Sequence, residues 1–256
     1  MTRFLLFGIG LLAGLLLLGR VRRPASAGAP PPAVNTASYS RPAARLDTHP
    51  APQAAPSGTP AIDLLARLEG RRRLAHAATY TYFDSLLVET DSVVRRWSRP
   101  ETPLLVAILP DSGRLDPDLV ALVRRALAIW EEAAVGLHFT LASDSAGAQL
   151  LVRSIPRFEG VLAGETHLEW SQDGAIQAAT ITLARGDSTG RPVLPGVALA
   201  VAVHEVGHAL GLAHSASPED VMFGFTRTSK LSHRDRATIA LLYELPLGSV
   251  RGTMNP

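Results

Sequence analysis

The 256-residue chain is 46% hydrophobic and 19% charged, enough apolar material for one compact domain with accessory segments, or for two small domains. Its net charge is +2. The pI near 9.4 reflects arginine in place of lysine (Lys230 is the sole lysine), and no arginine run with interleaved aromatics falls in a predicted folded element, which argues against a nucleic-acid partner. The absence of cysteine excludes disulfides, thiolate metal sites and a cysteine nucleophile.

Residues 1–19, MTRFLLFGIGLLAGLLLLG, carry one arginine and then an apolar run. The run is shorter than the roughly 20 residues of a membrane span and longer than the roughly 7–15 of a secretory core. Ala25–Ala27 gives an A-x-A cleavage site, whereas Arg20, Arg22 and Arg23 directly after the run resist export of the chain beyond them. With no polar face, the segment does not read as a core helix. Residues 1–27 are therefore expected to be a signal peptide or an N-terminal membrane anchor, cleavage being favoured, and the chain is expected to be exported. Residues 28–60 are Pro/Ala-rich and read as a disordered linker. Residues 61–94 regain periodicity and read as a helical stalk or a short pro-segment.

From residue 95 to about 250 the pattern is that of one α+β domain. Strands are predicted over 103–110, 137–142, 148–155, 164–170 and 175–184, the last two flanking the turn sequence SQDG. A helix starts at the cap Asp116, with Pro117 at its first position and Asp118 in its first turn. Leu119, Val120, Val123, Leu127 and Trp130 form its buried stripe, and Gly136 is expected to end it. The RGD triplet at Arg185–Asp187 reads as a turn. Residues 197–210, VALAVAVHEVGHAL, form a strongly apolar helix closed by Gly211. Ser232 and Asp235 have capping-box spacing for a last helix, which carries Ile239, Leu242 and Tyr243 on one side and stops before Pro246.

Within HEVGHALGLAHS, His204 and His208 are four apart, so one helix face presents both imidazoles one turn apart. Gly211 permits the positive φ that lets the chain leave the helix sharply. His214 then returns to the same ion. Three imidazoles leave a tetrahedral zinc one open position, the arrangement of a catalytic site. Glu205 beside the first ligand is the candidate general base. The full H-E-x-x-H-x-x-G-x-x-H pattern would arise by chance on the order of 10⁻⁵ times in such a length, and three histidines with a glutamate on a buried helix are costly without a cation.

HEVGHALGLAH resembles the zinc signature of the metzincin endopeptidases, and Met222 in EDVMF resembles the methionine of their Met-turn, a packing floor that is not a ligand. Ser215 after the third histidine, the spacing to Met222 and the LSHRDRATIALLY segment at 231–243 are similar to the matrixin branch. The resemblance implies a zincin-like catalytic domain over 95–250: a mixed twisted sheet, an active-site helix, the Met-turn and a C-terminal helix. It implies His204, His208 and His214 as ligands of one catalytic Zn²⁺, Glu205 as the base acting on a zinc-activated water, and Gly211 and Met222 as structural support.

Departures from the family pattern limit what carries over. Gly224 stands where astacin-like and serralysin-like members have a ligating tyrosine and matrixins a proline, so the pocket preference on the primed side does not transfer. Latency through a cysteine is impossible. His167 resembles one ligand of a second, structural zinc, but partner histidines are missing. Asp173 and Asp187 are weak candidates for calcium, a plain turn being favoured. Residues 161–170 are expected at the sheet edge beside the cleft, where an extended peptide adds as an antiparallel strand, with Gly164, Thr166 and His167 as candidate substrate contacts. The partner is then a polypeptide substrate, the membrane is met only through the N-terminal segment, and the protein is read as a monomer. The alternatives are a non-catalytic, zinc-stabilised peptide-binding module at the membrane surface and a zinc hydrolase of small peptides or amides.

Overall fold

Alternation of buried and half-buried residues makes strands of Leu104–Ile108 (β3), Phe139–Leu141 (β4), Leu150–Ile155 (β5), Leu162–Trp170 (β6) and Ile176–Ala184 (β7). The computed structural model that contains them describes residues 69–249, except 71, 75, 78, 79, 99–102, 112 and 134, and the backbone of residues 3–10. The expected linker over 28–60 and the A-x-A site lie outside the described residues. The strands hydrogen-bond in the order β4-β3-β5-β7-β6, and β1 (Arg3–Gly10) lies beyond β6. The pairs β3/β4, β3/β5 and β5/β7 are parallel; β6/β7 and β1/β6 are antiparallel. The SQDG turn joins β6 to β7, with Gly174 at φ +90°. Val93–Val94 (β2) pairs with Gly248–Ser249 (β8) in a separate ribbon.

The expectation of β6 as the outer edge is corrected by β1. An exposed edge leaves a row of main-chain N–H and C=O groups unpaired, and the backbone of residues 3–10 takes them up along β6, with Phe7 opposite Thr166 and Ile9 opposite Gly164. No helix among the described residues is long and apolar enough to cross a membrane.

Helices complete the domain, among them α1 (Phe83–Glu89), α2 (Pro117–Glu131), α3 (Pro195–Ala209) and α4 (His233–Glu244). Asp116 caps α2 by accepting the Asp118 N–H, and Pro117 occupies the first position. The helix ends at Glu131, before Gly136, which lies in the following turn at φ +78°. The buried stripe of α2 is Leu119, Val123, Ala126, Leu127 and Trp130. Val120 is only half-buried. The Ser232–Asp235 capping box starts α4 with both reciprocal bonds present.

Helix α3 is strongly apolar apart from His204, Glu205 and His208, and is buried from Leu199 to Ala209 between α2 and the β6–β7 part of the sheet. Two indoles fix it. Trp130 Nε1 donates to the Val203 carbonyl at 2.7 Å, and Trp97 Nε1 donates to the Ala209 carbonyl at 2.8 Å. Tyr82, Phe83 and Leu86 also belong to the core, so residues from Ala77 onward pack with the domain, ahead of the expected boundary at 95.

Gly207 has no side chain because α3 lies against Met222 and Trp130 there. A Cβ would run into Met222 Sδ and come within 2.8 Å of Trp130 Cζ2. Gly207→Ala gains up to about 1 kcal/mol of helix propensity but overpacks the core at about 1–3 kcal/mol. The expected outcome is a net loss, read as a lower urea midpoint with an unchanged m-value; a higher midpoint would contradict this packing.

Candidate metal centre

The path of the chain out of α3 brings the third histidine to the first two. Gly211 adopts φ +99°, its N–H donates to the His208 carbonyl at 2.9 Å, and the Leu212 N–H donates back to the Gly207 carbonyl at 3.0 Å. This is the paired bonding of a glycine-terminated helix. A Cβ at 211 would also strike the Arg95 carbonyl, so space and φ both require glycine.

The imidazoles are oriented by main-chain carbonyls. His204 Nδ1 lies 2.6 Å from the Val221 oxygen, and His208 Nδ1 lies 2.8 Å from the Leu212 oxygen. A carbonyl only accepts, so each Nδ1 carries the hydrogen and each Nε2 of the neutral ring presents a lone pair. His204 Nε2 stands 2.9 Å from His208 Nε2, which stands 3.3 Å from His214 Nε2. Ligand atoms of the three residues lie within 4.8 Å of one another, the one such grouping among the described residues. Two tetrahedral ligands at about 2.0–2.1 Å from zinc are roughly 3.3 Å apart. Burial holds His204 and His208 well below the usual imidazole range, with His214 adding to the effect, and holds His214 at about 4. Facing Nε2 lone pairs on His204 and His208, with His214 Nε2 close by, fit a cation.

Glu205 is buried beside them. Thr166 Oγ1 donates to its Oε2 at 2.6 Å, whereas its Oε1 has no hydrogen-bond partner. Burial pushes this carboxyl well above the usual carboxylate range, against the lowering effect of the Thr166 bond; a bound dication acts in the opposite sense. Both the donor set and the orphaned Oε1 fit a zinc ion with a ligand on its open side.

Met222 is fully buried under the site, and its carbonyl accepts the Ser215 N–H at 2.8 Å. Two carboxylates hold this turn. Asp220 takes the Ser215 hydroxyl and, at 2.7 Å, that of Ser232. Asp235 accepts the N–H groups of Val221 and Ser232 and, at 3.0 Å, the Tyr82 hydroxyl. Val221 therefore links α4 to the His204 ring. Glu89, at the end of α1, places Oε1 3.9 Å from His214 Nδ1. Sequence reasoning passes over Glu89, Asp220 and Tyr82 in these roles, and no local spacing marks them.

The three candidate substrate contacts separate in the structure. Gly164 and Thr166 are buried and face Glu205, and His167 is half-buried on β6. Gly224 lies beside His214: a Cβ there would meet His214 Cδ2 at 3.8 Å. The carboxylates of Asp173 and Asp187 bond within their own turns, Asp173 to Ser171 and Asp187 to Thr189 and the Arg191 N–H.

A mixed sheet, a buried helix with two of three histidines, a glycine turn delivering the third and a methionine loop beneath them define a metzincin-like α+β domain. The matrixin family model (peptidase M10) matches residues 96–244, more than half of the chain, and the chain belongs to the matrixin family. It is similar to Metalloendoproteinase 1 of Glycine max, 29% identical over 64% of this chain and 55% of that protein. It is similar to Metalloendoproteinase 5-MMP of Arabidopsis thaliana, 25% identical over 71% and 52% of the two chains. It also resembles Matrix metalloproteinase-25 of Mus musculus, 27% identical over 57% of this chain and 27% of that one. The chain thus spans about half the length of the plant relatives and about a quarter of the mouse protein.

Burial raises Glu89 to about 7, only partly offset by the His214 backbone N–H. A raised folded value means that the group contributes stability below its unfolded value of about 4.5, and that this is lost as pH rises through about 7. In the metal-free chain, the wild type's stability relative to Glu89→Gln is therefore expected to fall between about pH 4.5 and 7 and to level off outside that window. Urea titrations across pH check this, and a difference that rises over the window would contradict it.

Proposed function

We propose that this protein is an exported zinc-dependent metalloendopeptidase that hydrolyses peptide bonds of polypeptide substrates, with Glu205 as general base. The observation that carries the reading is the Glu205 carboxylate. It is fully buried next to His204, with one oxygen held and Oε1 unpartnered. An unpaired buried polar atom of this kind is costly unless a ligand uses it.

His204, His208 and His214 would hold the ion through Nε2. When bound, zinc supplies a Lewis acid for the scissile carbonyl and lowers the pKa of a water it holds. Glu205 accepts the proton of the attacking water at Oε1 and delivers it to the leaving amine. Asp235 and the Val221 carbonyl keep His204 in the tautomer that leaves Nε2 available. A substrate chain would pair along β6 in the place that β1 takes, and export with cleavage after Ala27 would remove β1 and free that edge. The peptide-binding alternative gives Glu205 no task.

In the test, Glu205→Ala is expected to keep stoichiometric zinc, since it removes no ligand, and to lose at least about 10²-fold in turnover of an unfolded protein substrate. Zinc content and a fluorogenic peptide assay report the two quantities. Cleavage at the wild-type rate by this variant would refute the assignment of the base.

A further inference from the structure

Thr166 has no exposed surface in the middle of β6, yet its hydroxyl reaches across to α3. Oγ1 stands 2.6 Å from Glu205 Oε2 and 3.0 Å from the Glu205 backbone oxygen. The hydroxyl has one hydrogen to give, and the shorter of its two contacts is the one to the carboxyl oxygen. Two residues earlier, on the same face of the strand, Gly164 is bare. A Cβ there would lie 2.5 Å from Glu205 Oε1 and 2.7 Å from Val201 Cγ1. One strand face thus gives a donor to one carboxylate oxygen and open space to the other. The terminal torsion of a glutamate is broad and roughly two-fold, so nothing in the side chain itself selects that orientation.

We propose that Thr166 is a positioning residue for Glu205: its hydroxyl fixes the carboxylate plane and occupies Oε2, leaving Oε1, in the space that Gly164 vacates, as the proton-accepting oxygen. The inference rests on Glu205 being the base. It reassigns Thr166 from substrate contact to support of the carboxylate, because its hydroxyl is already engaged by Glu205. Its effect therefore falls on turnover, with little change in substrate affinity.

The zinc-loaded protein, cleaved after Ala27 as proposed above so that the β6 edge is free, tests this through Thr166→Val, which keeps the shape and removes the hydroxyl. The expected result is a loss of about 10- to 100-fold in kcat, since small misplacements of a catalytic group cost this much, with KM nearly unchanged and one zinc still bound. Thr166→Ser should recover most of the loss. If Thr166→Val does not fold, Thr166→Ser against Thr166→Ala makes the same comparison, differing by the hydroxyl alone. In a Glu205→Asp background, whose shorter side chain falls back from Thr166, Thr166→Val should cost little more, because two residues acting as a unit are not additive. Wild-type kcat in Thr166→Val, a rise in KM alone, loss of zinc, or an equal cost in both backgrounds would overturn the proposal. A wild-type protein freed of residues 1–27 and loaded with zinc that cleaves no peptide refutes the peptidase reading instead, so the two failures are distinguishable.

Discussion

Two imidazoles on one helix face, each with its Nδ1 hydrogen on a backbone carbonyl, present only lone pairs to each other across 2.9 Å. A third ring stands 3.3 Å from the second. Burial holds all three well below the usual imidazole range, and the facing lone pairs of His204 and His208 become favourable around a cation. Much of the surrounding structure serves to hold this convergence. Gly211 turns the chain so that His214 arrives, the Leu212 carbonyl released by that turn orients His208, and the Val221 carbonyl orients His204 from the methionine loop.

That loop is held in turn by two carboxylates outside the histidine cluster. Asp235 belongs to the capping box of α4 and also takes the Val221 N–H, so the start of the last helix and the orientation of His204 share one side chain. Tyr82 adds a bond to Asp235 from the N-terminal side. Removing either partner leaves a buried polar group unpaired, which costs more than the bond's net worth. Glycine appears where two elements come too close for a side chain: Gly207 over Met222 and Gly164 over Glu205.

The parts legible in the sequence are those set by short-range spacing. The i, i+4 histidines, the terminating glycine, the Asp116 and Ser232 caps and the turn between β6 and β7 are local, and they stand where their patterns place them. Helix α2 ends earlier than its sequence predicts, because Gly136 is a conspicuous helix stop, whereas the chain leaves the helix at Glu132 without one. Contacts between residues far apart in the chain leave no such mark. Glu89 meets His214 from a segment that reads as a stalk, and the Tyr82 hydroxyl finds Asp235 only through packing. Thr166 is legible as part of a strand beside the cleft, but alternation along a strand tells which residues share a face and not what lies opposite; its partner, Glu205, comes from another element.

Central to the proposed function is a zinc held by His204, His208 and His214 with one position open to an exchangeable ligand. X-ray absorption at the zinc edge on the purified chain measures this directly. The predicted spectrum has three nitrogen scatterers at about 2.0–2.1 Å and one oxygen at about 2.0–2.2 Å, with the oxygen replaced when a peptide hydroxamate is added. A spectrum with four protein ligands and no response to the hydroxamate, or a chain that retains no zinc, would contradict it.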